Sequence, residues 1–319
     1  MTVTELPRKR RQRLEDFVTR FRVRPGSRVR LDRDFDPAFK ASVKKKDGAA
    51  LLEEGVQLMS EYQARLAAQG TWGVLVVLQA LDAAGKDGTI RHVMSGLNPQ
   101  GVSVHSFKVP SAEELDHDYL WRYARRLPAR GEIGIFNRSY YEEVLVVRVH
   151  PQNLDRQRLP AAVRRGDIWK RRYREINAWE RYLSDNGFRI VKLFLNLSRE
   201  QQRLRLLRRI DLPDHTWKFS LADVEERGYW DDYQRALSDM LSHTSTESAP
   251  WYVIPADRKW FERLAVGLVL AHTLVEIDPR FPKVNRDQRA ALLEVKQALE
   301  AQAPEGAAND RQYDGTASP

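Results

Sequence analysis

Lys86 follows Gly85 in the run Ala80-Leu81-Asp82-Ala83-Ala84-Gly85-Lys86-Asp87-Gly88-Thr89, which comes after the apolar stretch Val74-Leu75-Val76-Val77-Leu78 and leads into a predicted helix. A turn of small residues between a buried strand and a helix N-terminus aims backbone N–H groups and the positive end of the helix dipole into the loop, which makes it an anion site. Gly85 lets the main chain approach an oxyanion, and Lys86 adds a point charge for terminal phosphates. The run is close to the phosphate-loop pattern G-x-x-x-x-G-K-[ST], but Ala80 replaces the first glycine and Asp87 replaces the magnesium-binding hydroxyl. Asp82 is the unexpected member, because a carboxylate in the loop repels an anionic ligand. It fits as a magnesium ligand or an orienting partner of Lys86; it also fits as a plain turn aspartate in water.

Further cations lie on other stretches. Lys108 closes the set Ser106-Phe107-Lys108, Arg138 and Arg148 follow the apolar run 132–136, and Arg208, Arg209 and Lys218 lie in the most basic part of the chain. Phosphoryl transfer asks a protein for in-line positioning and for neutralisation of charge spread over the transferred oxygens. Arginine suits this, because its guanidinium stays charged and engages two phosphate oxygens at once. No histidine stands in a base or metal spacing: His92, His105, His117, His150, His215 and His243 are scattered. The terminal oxygens of a nucleotide phosphate are anionic near neutral pH and need no base, whereas a hydroxyl acceptor would, so a nucleotide phosphate is favoured as the nucleophile.

These residues need a scaffold, and five apolar runs supply one: 74–78, 102–107, 132–136, 189–197 and 251–255. Separated by helical stretches, they imply a parallel sheet covered on both faces, with ligands at the carboxyl ends of the strands. A helix over 49–68 is expected to pack on the sheet through Leu51, Leu52, Val56, Leu58, Met59 and Leu66. Ser198 and Gln201 open another helix, which carries Arg203, Arg205, Arg208 and Arg209 and breaks at Asp211-Leu212-Pro213; a second helix follows over about 221–241. Such a hairpin reads as a lid closing on phosphates, or as an arginine-rich face in water. A closing helix over 260–277 and a weaker amphipathic one over 286–301 complete the chain. Trp169, Tyr173, Trp179 and Tyr182 have the helical spacing of core packing.

The 319 residues allow one large α/β domain with appendages or two small domains, and a single core is the simpler expectation. Cysteine is absent, which excludes disulfides, thiolate metal sites and a cysteine nucleophile. With 53 Lys and Arg against 44 Asp and Glu, the net charge of +9 favours a polyanionic partner, whether nucleic acid, anionic membrane or polymeric phosphate. No stretch approaches the roughly 18–20 apolar residues of a membrane span, and the N-terminus lacks the apolar core of a signal peptide. A cytoplasmic protein without a membrane is expected. No nucleic-acid motif accompanies the charge, and a nucleic-acid partner leaves Asp82 without a role.

Taken together, the chain resembles the family-2 polyphosphate kinases, which have the P-loop kinase fold and exchange phosphoryl groups between inorganic polyphosphate and nucleotides. The resemblance rests on Leu81-Asp82-Ala83-Ala84-Gly85-Lys86-Asp87-Gly88-Thr89, on Phe136-Asn137-Arg138-Ser139-Tyr140-Tyr141-Glu142-Glu143-Val144, on Trp217-Lys218-Phe219 and on Ala249-Pro250-Trp251-Tyr252-Val253-Ile254-Pro255-Ala256-Asp257-Arg258-Lys259-Trp260. It implies that Asp82 works with Mg²⁺, that Lys86 and Arg138 hold the transferred group, and that lid cations follow the polymer. Asp82, Lys86 and Arg138 are therefore the expected catalytic residues. Ala83, Ala84, Gly85, Asp87, Gly88, Thr89, Lys108, Asn137, Arg148, Arg208, Arg209 and Lys218 are the expected phosphate- and nucleotide-binding residues. Many family members carry aspartate, a second magnesium contact, where this chain has Asn137; asparagine there resembles the class III branch, whose members phosphorylate both AMP and ADP to give ADP and ATP. Family members commonly associate, and exposed aromatic helices would permit a homo-oligomer.

The expected architecture is an α/β, P-loop kinase-like three-layer sandwich, with a parallel five-stranded sheet and a helical lid at about 205–232. Residues 1–20 are expected as a flexible basic arm, 21–282 as the kinase-like domain, and 283–319 as a C-terminal helix and disordered tail. Two other functions fit the same residues. An ATP-dependent nucleoside monophosphate kinase would use the same loop and lid, and a non-catalytic polyanion or nucleic-acid binder would use only the charge.

Overall fold

A computed structural model of the chain describes residues 6–213 and 220–302. Five strands, β1 (Gly73–Ala80), β2 (Val102–Ser106), β3 (Ile133–Asn137), β4 (Phe188–Asn196) and β5 (Trp251–Pro255), form one parallel sheet in the order β2-β3-β1-β4-β5. Nearly every residue of β1 is buried because the strand is central and covered on both faces. Val74, Val76 and Leu78 face one helical layer, while Leu75 and Val77 face the other. The three-layer α/β sandwich expected from the sequence is therefore present.

The longer helices among the described residues are α1 (Arg8–Val18), α2 (Lys45–Gln69), α3 (Lys86–Met94), α4 (Ile168–Asp185), α5 (Arg199–Asp211), α6 (Leu221–Glu226), α7 (Trp230–Thr244), α8 (Lys259–Ile277) and α9 (Arg286–Ala301). Met59, Tyr62 and Leu66 of α2 share a core with Phe261, Leu264 and Leu274 of α8. The two helices approach closely where glycines face leucines: a Cβ on Gly267 would lie 2.9 Å from Leu52, and one on Gly55 would lie 3.3 Å from Leu268. The opposite layer is built from α4 and α7, with Tyr173, Ile176, Leu237 and Met240 against Phe136, Phe194 and Trp251.

Residues 8–18 form a helix rather than the flexible arm suggested by their basic composition. Leu14, Phe17, Val18 and Phe21 recur at helical spacing beneath the arginines and join the core around Phe261. Arg11 also donates to the Val275 carbonyl over 2.8 Å. Over 221–241, one continuous helix is replaced by α6, a 3-10 turn (Arg227–Tyr229) and α7. Gly228 stands in the break, and its low helix propensity favours an interruption there. Tyr182, grouped with the core aromatics on its spacing, is exposed on α4. Helix α9 is exposed along its whole length, and the expected disordered tail lies outside the described residues. No described helix is long and apolar enough to cross a membrane.

Candidate active site

β1 is flanked by β3 and β4, and the chain runs from β1 to one side and later from β3 to the other. Crossovers that diverge in this way leave a crevice at the strands' carboxyl ends. Backbone pairing sets its near wall: Leu78 is in register with Asn137, and the Arg138 N–H donates to the Leu78 carbonyl over 3.1 Å. Ala83 and Arg138, the residues that turn out of β1 and β3, both take left-handed backbone conformations, at φ 62° and 64°. For residues with a Cβ this is a strained geometry, of the kind found at functional sites.

At the turn, Gly85 has φ 104°, open to glycine, and caps α3, whose first turn starts with Lys86. The N–H groups of this turn have no intrahelical acceptor. Arg205, buried on α5, holds the loop from behind. Its Nη1 donates to the carbonyls of Ala83 (3.2 Å) and Ala84 (2.6 Å), and its Nη2 to those of Ala256 and Asp257. Because C=O and N–H point oppositely across a trans peptide, drawing the Ala84 carbonyl backwards turns the Gly85 N–H towards the crevice. Thr89 donates to Gly85 O over 3.2 Å and to Glu262 of α8.

The charged side chains converge in front of this turn. Asp82 accepts from Arg138 over 3.1 Å, and Glu142 lies 3.5 Å from the other side of the same guanidinium. Glu142 above all, and Asp82, raise the Arg138 pKa despite burial. Lys86 donates to Ala80 O over 2.9 Å. Burial, and next the Arg138 charge, lower its pKa, while Asp82, Glu142 and Asp87 oppose that shift. Asn137 donates to Asp87 (2.7 Å) and to Ser106 (3.3 Å). Over the loop, Gln202 of α5 donates to the Asp82 carbonyl at 3.0 Å and accepts from Arg227 at 2.7 Å. Arg209 pairs with Asp223 of α6 at 2.9 Å, and the Asp223 carboxyl is pushed up by burial and by the nearby Asp82 charge.

The structure thus brings together Asp82, Ala83, Ala84, Gly85, Lys86, Asp87, Thr89, Asn137 and Arg138, with Arg209 reaching the group through Asp223. A Cβ on Gly88 would meet no atom within 4 Å, so the face of α3 there is open. Lys108 is exposed on the rim of a cavity of about 400 Å³ that Phe107, Tyr119, Tyr123, Glu142 and Val146 line and that reaches Arg138. Arg148 points elsewhere, donating over 2.5 Å to both Tyr173 and Asp239. Arg208 is exposed; with Arg205 and Arg263 it adds to burial in lowering the Lys259 pKa. Lys218 lies outside the described residues. Gln202, Arg227, Glu142 and Glu262 were not singled out from the sequence. Gln202 and Arg205 share the buried face of α5 with Leu206, and that three- to four-residue spacing was the available signal.

Comparison with known proteins identifies the family. The family described as Polyphosphate kinase 2 (PPK2) matches residues 42–282. The chain is 50% identical over 283 residues to an ADP-polyphosphate phosphotransferase of Rhodopseudomonas palustris, covering 88% of this chain and 97% of that protein. It is 45% identical over 268 residues to an AMP/ADP-polyphosphate phosphotransferase of Meiothermus ruber, covering 83% and 96%. Among solved structures, the polyphosphate kinase 2 of Arthrobacter aurescens superposes with a TM-score of 0.76 at 40% identity, covering 85% of this chain and 95% of that one. The chain belongs to the polyphosphate kinase 2 family of phosphotransferases.

Proposed function

We propose that the protein transfers the terminal phosphoryl group of inorganic polyphosphate to AMP and to ADP with Mg²⁺, giving ADP and ATP. The observation that carries this reading is the pairing of Asp82 with Arg138 in front of the Lys86 loop, beside a cavity of nucleoside size. The acceptor's base and ribose occupy the cavity beside Phe107 and Tyr123, with its phosphates directed at Arg138. The polymer end lies on the Gly85–Gly88 amides and Lys86, under α5 and α6.

A terminal oxygen of the acceptor attacks the last phosphorus of the chain. A new P–O bond forms as the bridging P–O bond breaks, and the shortened polymer leaves with the bridging oxygen. Lys86 and Arg138 neutralise the oxygens of the group in transit, and no side-chain base is required. The donor set suits magnesium, which binds proteins through one or two carboxylates and completes its shell with phosphate and water. Arg138 engages Oδ1 of Asp82, and Oδ2 is the oxygen we assign to the metal. When bound, the ion would offset the charge that gathers on the phosphate oxygens. No described group of three or more His, Asp or Glu residues makes a metal cage.

Support for two acceptors comes from Asn137 and from the likeness to the Meiothermus ruber protein, named for both AMP and ADP. The nucleotide substrates and the absence of cysteine fit a cytoplasmic enzyme. The test is nucleotide production from AMP and, separately, ADP, with Mg²⁺ and long-chain polyphosphate as donor and ATP as comparison donor. ATP formed from both acceptors supports the reading. Activity with ATP alone overturns the donor, and activity with ADP alone overturns the dual acceptor.

A further inference from the structure

Behind the phosphate loop lies a carboxyl group that the phosphoryl-transfer scheme leaves without a role. Glu262, in the first turn of α8, is 1% exposed. Its Oε1 accepts from Thr89, and its Oε2 is buried with no hydrogen-bond partner among the described residues. A Cβ placed on Gly85 would lie 3.7 Å from both Glu262 Oε1 and Arg205 Nη1, so carboxyl and guanidinium sit together directly beneath the turn. One buried acid therefore touches the helix that carries Lys86 and adjoins the arginine that draws the Ala83 and Ala84 carbonyls backwards.

We propose that Glu262 is a positioning residue for the polyphosphate donor: through Thr89 and Arg205 it sets the Gly85 turn from behind, and its charge state sets how tightly the loop holds the polymer's terminal phosphates. The inference rests on the loop being the donor site. Leaving a buried polar atom without a partner is costly, and an anion-binding loop is an unfavourable place for a carboxylate. The charged and polar groups that face Glu262 come from each neighbouring element: Thr89 from α3, Arg205 from α5, and Lys259 and Arg263 from its own helix. Burial outweighs these groups and pushes the Glu262 pKa up to about 7. In the neutral form, Arg205 keeps an uncompensated positive charge under the loop, and phosphate is favoured. In the ionised form, that charge is cancelled and phosphate binding weakens.

The test is steady-state kinetics of the full chain with ADP and polyphosphate from pH 6 to 8.5, for the wild type, Glu262→Gln and Glu262→Ala, with thermal melts confirming folding. Gln keeps an acceptor for Thr89 without titrating. The expected result is a wild-type KM for polyphosphate that rises several-fold with pH relative to that of Glu262→Gln, while the KM for ADP stays the same in both. Ionisation of the substrates acts on both proteins alike and cancels in the ratio. Glu262→Ala, lacking the Thr89 contact, is expected to lose about tenfold in kcat over KM for polyphosphate, which Gln restores. If Glu262→Gln follows the wild-type pH profile, or if the KM for ADP shifts as much as that for polyphosphate, the positioning role is overturned. The isosteric Gln variant decides the matter even if the Ala variant does not fold. A wild type inactive with polyphosphate would overturn the donor assignment itself.

Discussion

Asn137 donates its side-chain N–H to Asp87 over 2.7 Å, bridging the end of β3 to the first turn of the loop helix. A neutral amide thus stands against a carboxylate where two carboxylates would repel each other. Replacing Asn137 with Asp removes the donor and gathers a second negative charge beside Asp87, which a divalent cation would relieve. The expected outcome is a lower melting temperature without metal and a Mg²⁺ requirement for activity met at several-fold lower concentration. An unchanged Mg²⁺ titration would show that position 137 does not border the metal.

Lys86 donates to the Ala80 carbonyl at the start of the loop, and its charge is opposed by burial. Lys86→Ala should lower kcat by roughly a hundred- to a thousandfold, as loss of one preorganised transition-state donor does. The melt should stay near that of the wild type. Near-normal turnover would remove Lys86 from the mechanism.

A polymer lying along several cations releases counterions when it binds, so its KM should climb steeply with salt, by analogy with nucleic acids. Raising salt from about 50 to about 200 mM should increase the polyphosphate KM far more than the ADP KM. Equal, shallow responses would mean that only the terminal phosphates are held.

Within the sheet, Lys192 is buried and donates to Glu180 (2.7 Å), Tyr141 (2.8 Å) and the Thr244 carbonyl (2.6 Å). Lys192→Met would strand the Glu180 carboxylate among Tyr140, Tyr141 and Trp251. Removing one partner of a buried pair costs about 3–5 kcal/mol, and denaturant unfolding should show a loss of that order. A loss below about 1 kcal/mol, the scale of an exposed pair, would mean that the site is hydrated.

Glu262 also links stability to pH. Its carboxyl holds a proton up to about pH 7 in the folded chain, against an ordinary value of 4.5. Between those values the folded state binds more protons than the unfolded state, so the Glu262 contribution to stability falls as pH rises and is lost above about 7. Urea unfolding at pH 5 and pH 8 should show a smaller decline for Glu262→Gln than for the wild type. Parallel declines would contradict the raised pKa.

The sheet was legible because each strand is a local apolar run: β5 falls on the anticipated residues, and the others differ by one or two at an end. The loop, too, announced itself through Gly85 and Lys86 following a strand. Arg205 and Glu262 were not legible as site residues, because what makes them important is the carbonyl or hydroxyl of a distant segment, |i−j| 121 for Arg205 to Ala84 and 173 for Thr89 to Glu262. On its own helix, Arg205 looks like Arg203, which pairs with Glu200 at the surface. Similarly, the charges of α1 masked an apolar stripe, Leu14, Phe17, Val18 and Phe21, whose partner Phe261 lies far along the chain though next to it in space.

The clamp that Arg205 places on Ala83, Ala84, Ala256 and Asp257 gives the site an order of completion during synthesis. Chains are made from the N-terminus and fold as their domains emerge. Asp82, Lys86, Arg138 and Arg205 all leave the ribosome before the carbonyls after β5 exist to take the second half of that guanidinium. A nascent chain stopped short of residue 256 would hold those four charges yet lack the anchor that sets the loop. The last strand and α8 thus act as the keystone of a machinery whose main charges precede them in the chain.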